Sequence, residues 1–148
     1  AIERIKTYAG SPPSFATVTE LEAFLRQVYQ PFGWLSEAQW RRLTETSVRR
    51  LPNGRITPHY DPAMALQLTV HPDDYLIWPH YDALNLPVLL LRGVTSDLVL
   101  PETAAEMRRR GPGARGLLKH IEVPGCGHAP ALNVLQQLEW VTDFIESV

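Results

Sequence analysis

The sequence predicts an α/β protein, with a mainly helical first half followed by two parallel strands joined through a crossover helix. Three observations carry this. First, Val88, Leu89, Leu90 and Leu91 form an apolar run bounded by Pro87 and Gly93. A run this short, apolar on both faces, reads as a strand buried on both sides. Second, residues 117–123 read as another strand. It is reached through a helical segment at 101–110 that starts at Pro101 and is closed by Gly111-Pro112-Gly113. Strand, helix and strand in one stretch form a βαβ unit, so the strands should be parallel neighbours about 5 Å apart. Third, the residues up to about 67 carry mainly helical spacing and helix-start signals.

Taken in order, residues 1–15 show no clear periodicity, and Gly10-Ser11-Pro12-Pro13-Ser14 is a loop or linker. Thr17 and Glu20 have the spacing of a capping box, in which hydroxyl and carboxylate each satisfy the other's backbone N–H. Leu21, Phe24, Leu25 and Val28 follow at helical spacing, predicting a helix over 18–29 that Pro31 and Gly33 stop. Ser36 and Gln39 repeat the box. Their helix is expected to run to about 50, with Trp40, Leu43, Ser47 and Leu51 on one face. Pro52-Asn53-Gly54 is a turn, 55–59 a short extended piece and 62–66 one further helical turn. Residues 1–67 therefore read as a helical lid, or cap, with no core beyond two or three helices, and residues 68–148 as the sheet-bearing portion. A short helix is expected over 72–81. A last helix is expected over 132–147, with Val134, Leu135, Leu138, Val141, Phe144 and Ile145 in a stripe wide enough to pack on a sheet.

Composition narrows the function classes. The chain has 148 residues, 45% hydrophobic and 20% charged, which is ordinary for one soluble domain. A net charge of −2 and a pI near 6.2 argue against a nucleic-acid partner or an anionic membrane surface. The arginine clusters at 41–42, 49–50 and 108–110 read as solvated helix faces and helix C-termini. No apolar run approaches membrane-spanning length, and no leader segment is visible after Ala1. Cys126, the single cysteine, excludes an internal disulfide and fits a reducing compartment, so a cytoplasmic location is expected.

The candidate chemistry lies past the two strands. Asp97 follows the first and His128 the second. In open α/β sheets, ligands bind outside the carboxyl ends of strands. An acid beside an imidazole can accept its Nδ1–H and leave the other nitrogen free as a base, which is two-thirds of a nucleophile–His–acid triad. Read locally, Asp97 could equally cap a turn and His128 could be a structural histidine. Gly125 and Gly127 can carry the backbone to a loop tip, and Pro130 stiffens the exit. Cys126 sits too close to His128 on a tight turn to be its nucleophile and reads as a small buried filler. His59, Asp61, His71, Asp73, Asp74 and His80 match no tight ligand motif, so no metal is expected. Trp34, Trp40 and Trp78 could line an apolar substrate pocket, or simply pack.

The stretches PVLLLRG, SD, ETAAEM and VPGCGHAPAL, over 87–132, resemble the C-terminal part of an α/β-hydrolase, and GRITPHYDPAMA at 54–65 resembles a stretch near the end of the cap in many of these enzymes. The resemblance is strong over 82–148 and looser before 52. It implies a partial α/β-hydrolase fold, a helical cap plus the last βαβα unit of a mostly parallel sheet. It also implies Asp97 as triad acid, His128 as triad base, a small-molecule substrate and no cofactor. The family's G-x-S-x-G nucleophile elbow is missing. None of the six serines, Ser11, Ser14, Ser36, Ser47, Ser96 and Ser147, lies between two glycines at that spacing. The expectation is an esterase-like hydrolase of a small ester, or of a related acyl or C–C bond, represented here without its nucleophile half and inactive alone. The rival expectation is a non-catalytic interaction module using the same half-fold. Lys119, His120 and Glu122 suit the second strand to an edge, whereas the strand at 88–91 needs a neighbour on each side. It is therefore expected to self-associate or to pair with the missing half. A piece of 1–16 or 55–60 is the weaker substitute.

Overall fold

Both capping boxes form, and they set where the first two helices begin. In this computed structural model, which describes Ile5, residues 9–70 and residues 72–148 without the side chains of Pro72 and Asp73, α1 spans Val18–Val28 and α2 spans Glu37–Thr46. The Thr17 hydroxyl accepts from the Glu20 N–H at 3.2 Å and the Ser36 hydroxyl from the Gln39 N–H at 3.3 Å, while the Glu20 and Gln39 side chains accept from the cap N–H groups. Each cap contributes about 1 kcal/mol to its helix.

The second helix stops earlier than its spacing predicts. The Thr46 hydroxyl turns back onto the carbonyls of Arg42 and Leu43, the Ser47 N–H tightens onto Thr44, and Val48–Arg50 becomes strand β1. It pairs antiparallel with β2, Ile56–Pro58, in the register Val48↔Pro58 to Arg50↔Ile56. The turn at 52–54 thus closes a hairpin instead of separating a helix from a strand. Burial decides this, because Ile56 joins Leu21 and Leu25 in a core flanked by Phe15, Phe24, Tyr29 and Val48. The helical region therefore has a core of its own, completed by a hairpin that the periodicity does not show. Phe15 also bridges Ile56 through two backbone bonds, of 2.8 and 3.0 Å.

A 3₁₀ turn at Pro62–Leu66 runs into α3, Gln67–Val70. The helix expected over 72–81 is broken instead, into a 3₁₀ turn at Pro72–Tyr75 and α4 at Trp78–Ala83. His71, part of the dismissed metal cluster, lies outside the described residues, as do residues 1–4 and 6–8. No helix of the described residues is long and apolar enough to cross a membrane.

The chain divides into two compact units. One is Ala1–Gln30 with Leu35–Tyr75, and the other is Pro31–Trp34 with Leu76–Val148. The second unit holds the βαβ element. Strand β3, Val88–Gly93, pairs parallel with β4, Leu118–Val123, from Val88↔Leu118 to Gly93↔Val123. The crossover is α5, Pro101–Arg109. Arg110 is extended and breaks the helix, but Gly111–Ala114 then forms one more turn, α6, where the glycines were expected only to stop it. The last helix, α7, is Leu135–Glu146. Its apolar stripe splits. Val134, Val141 and Phe144 are half-buried, Leu135, Leu138 and Ile145 are exposed, and the buried position is Gln137, whose Nε2 donates to the Cys126 sulfur at 3.8 Å.

Candidate active site

The ends of β3 and β4 are flush, because Gly93 pairs with Val123. The loops that follow are stitched together. The Val94 N–H donates to the Val123 carbonyl at 3.0 Å. The Thr95 N–H and hydroxyl both donate to the Cys126 carbonyl, at 3.1 and 3.0 Å. The approach is so close that a methyl group on Gly93 would overlap the Gly127 carbonyl oxygen. Gly127 in turn donates to the Pro31 carbonyl at 2.6 Å, and Gly125 takes a φ of +69° in the turn that delivers Cys126. Asp97 lies two residues beyond Thr95 and His128 two residues beyond Cys126, so a joined pair of loops carries both, and both are exposed.

Sequence reasoning missed what shapes the acid's loop. Arg92, the last side chain before Gly93, is 4% exposed. Its Nε donates to the Val99 carbonyl at 2.6 Å, one terminal nitrogen reaches the Ser96 carbonyl at 3.4 Å, and the other donates to Glu122 Oε2 at 2.7 Å. Ser96 is also buried. Its N–H donates to Gly93 at 2.9 Å and its hydroxyl accepts from the Val99 N–H at 3.1 Å. Asp97 therefore projects from a short loop whose two flanks share one guanidinium. The second oxygen of Glu122 lies 3.1 Å from His120 Nε2, a contact without the alignment of a hydrogen bond, and His120 Nδ1 is 2.6 Å from Arg108. The available signal was a single charge at the end of an otherwise apolar strand.

No family model matches the chain. Among solved structures it is similar to an α/β-hydrolase from Novosphingobium aromaticivorans, with 30% identity and a TM-score of 0.79 over 99% of this chain and 52% of that one. It is also similar to a candidate hydrolase from Rickettsia typhi, with 20% identity and a TM-score of 0.82 over 99% of this chain and 48% of that one. The chain carries part of an α/β-hydrolase fold. In sequence it is 34% identical over 139 residues to the 3-hydroxybutyrate-oligomer hydrolase of Cupriavidus necator, covering 88% of this chain and 46% of that protein. The chain thus spans about half the length of the relatives it matches.

In an α/β-hydrolase the nucleophilic serine sits on a G-x-S-x-G elbow that precedes the acid and the histidine. Ser96 does not match that elbow: it is buried, it lacks the flanking glycines, and its hydroxyl accepts from the Val99 N–H inside the loop. Burial pushes the Cys126 thiol up from its ordinary pKa, against the smaller opposing effect of Gln137, which suits a packed side chain and not a thiolate. Of the tryptophans proposed for a pocket, Trp40 is buried with the Arg26 guanidinium 5.4 Å from its ring. Trp78 meets Tyr81 edge-on at 5.8 Å and lies under Arg110 at 4.6 Å. Trp34 is 70% exposed, and its carbonyl accepts from the Asn133 amide at 2.7 Å.

Proposed function

We propose that this chain is the acid- and base-bearing half of a hydrolase that cleaves a small carboxylic ester by a Ser-His-Asp mechanism. The supporting observation is the stitched junction of the two loops, which brings Asp97 and His128 out of neighbouring parallel strands at the carboxyl end of the sheet. His128 takes the proton of a serine hydroxyl supplied by the other half of the fold and returns it to the leaving alcohol. Asp97 accepts the Nδ1–H and fixes the ring's tautomer. Water then releases the acyl group with His128 again as base. The name of the Cupriavidus necator relative favours an ester over a C–C bond, because hydroxy-acid oligomers are joined by ester linkages.

A p-nitrophenyl ester and a 3-hydroxybutyrate dimer serve as test substrates. The 148-residue chain by itself is expected to turn over neither. Joined to a nucleophile-bearing N-terminal half, it is expected to hydrolyse an ester, and His128→Ala should then lower kcat by roughly 10⁴-fold or more. Turnover by the isolated chain that His128→Ala abolishes would reveal a nucleophile within it. Full activity of His128→Ala in the joined protein would remove His128 from the reaction.

A further inference from the structure

We propose that Arg92 is the positioning residue for the triad acid. It acts as a buried clamp that holds the Asp97 loop against β4 and so selects the tautomer of His128. This rests on the reading of Asp97 and His128 as acid and base. The geometry that carries it is the fork of one guanidinium. Two of its nitrogens reach the carbonyls of Ser96 and Val99, on either side of Asp97, and the third holds Glu122, the residue directly opposite Arg92 in the parallel register. A planar fork with fixed donors can hold three acceptors in three directions, which a lysine ammonium on a flexible stem cannot reproduce with the same spacing. The anchor also has an exposed side. The Glu122 side chain is 44% accessible while that of Arg92 is 4% accessible, so Glu122 neutralises the buried charge from the rim. The Ser96 N–H and hydroxyl, already bonded to Gly93 and Val99, stiffen the same turn. Release of the guanidinium frees both loop carbonyls and lets the carboxylate of Asp97 leave the direction of the ring, although Asp97 itself is unchanged.

The ring nitrogens of His128 in the ¹⁵N-labelled 148-residue chain provide the readout, recorded by long-range ¹H–¹⁵N correlation with the imidazole neutral. A carboxylate accepting from Nδ1 enforces the Nδ1–H tautomer. The unsubstituted chain should show that form, and Asp97→Ala should lose it. If Asp97→Ala leaves the ring signals unchanged, the acid–base reading fails and this proposal fails with it. Given the Asp97 effect, Arg92→Lys, which keeps the buried charge but not the fork, should lose the Nδ1–H form as fully as Asp97→Ala does, with the β3 and β4 amide signals preserved. Glu122→Ala, which removes the third acceptor at the solvent-facing end of the clamp, should move the tautomer in the same direction and serves as the deciding variant if Arg92→Lys does not fold. A folded Arg92→Lys, or in its place a folded Glu122→Ala, that retains the Nδ1–H tautomer while Asp97→Ala loses it would overturn the clamp and leave the acid–base reading intact.

Discussion

At the scale of single residues, the junction between the loops that carry Asp97 and His128 depends on what is missing from Gly93. A side chain there meets not only the Gly127 carbonyl but also the carbonyl group of Cys126, at 2.6 and 2.7 Å, so the obstacle is backbone and cannot rotate away. Gly93→Ala should therefore push the two loops apart and destabilise the second unit by about 1–3 kcal/mol or more, as overpacking does. Chemical denaturation of the variant against the unsubstituted chain measures it, and an unchanged midpoint would show that the loops are not in contact. That Asp97 and His128 follow the ends of two neighbouring strands was legible in the sequence, because residue type, order and spacing along the chain carry it. Arg92 and Ser96 were not, because their roles lie in which carbonyls they reach.

Elements are held to one another by polar contacts as much as by apolar ones. Tyr81 and Asp82 of α4 reach the far end of the crossover. The Tyr81 hydroxyl donates to the Met107 carbonyl at 2.8 Å, and both Asp82 oxygens accept from Arg110, which also covers Trp78. The hydrogen bond from Arg110 holds the Asp82 carboxyl below its ordinary pKa. As pH falls, the unfolded chain takes up the proton first, near its ordinary value of about 3.9, and the folded chain only lower. The stabilisation is thus complete above that value and is lost as pH falls through the folded pKa. Asp82→Asn should lower the melting temperature at neutral pH by an amount that shrinks below about pH 4. A difference that stays constant down to acid would mean that the ion pair contributes nothing to stability. At this scale the sequence read the helix starts well, since a capping box is a contact between residues three apart. It read the end of α2 badly, since β1 exists only through its partner on the other side of a turn.

For the molecule as a whole, the edge of β3 away from β4 carries the main consequence of holding part of a fold. Among the described residues β3 pairs with β4 alone. Its residues Val88 to Leu91 are only half-buried, although their apolar character suits a strand covered on both faces. Of the two weaker internal substitutes, Phe15 and Ile56–Pro58 pair with each other and with β1. Leu135, Leu138 and Ile145 of α7 add exposed apolar surface in the same unit. We expect the isolated chain to associate, with a second copy or with the other half of the fold, through β3. Light scattering coupled to size exclusion at tens of micromolar should find species larger than 16.7 kDa, and Leu90→Lys should shift them toward monomer. A stable, soluble monomer would count against it.

The sequence by itself determined the α/β class, the parallel βαβ unit, both capping boxes, and an acid and an imidazole past the ends of two adjacent strands. Each of these is written in residue type and short spacing, where local sterics and hydrogen bonding act alone. Only the tertiary structure decided that 48–58 folds into a hairpin, that Pro31–Trp34 belongs with the second unit, that Gln137 and not a leucine faces inward on α7, and that one buried guanidinium grips both flanks of the Asp97 loop. Those outcomes depend on which distant groups compete for the same buried space and the same hydrogen-bond acceptors, and periodicity carries no record of that competition.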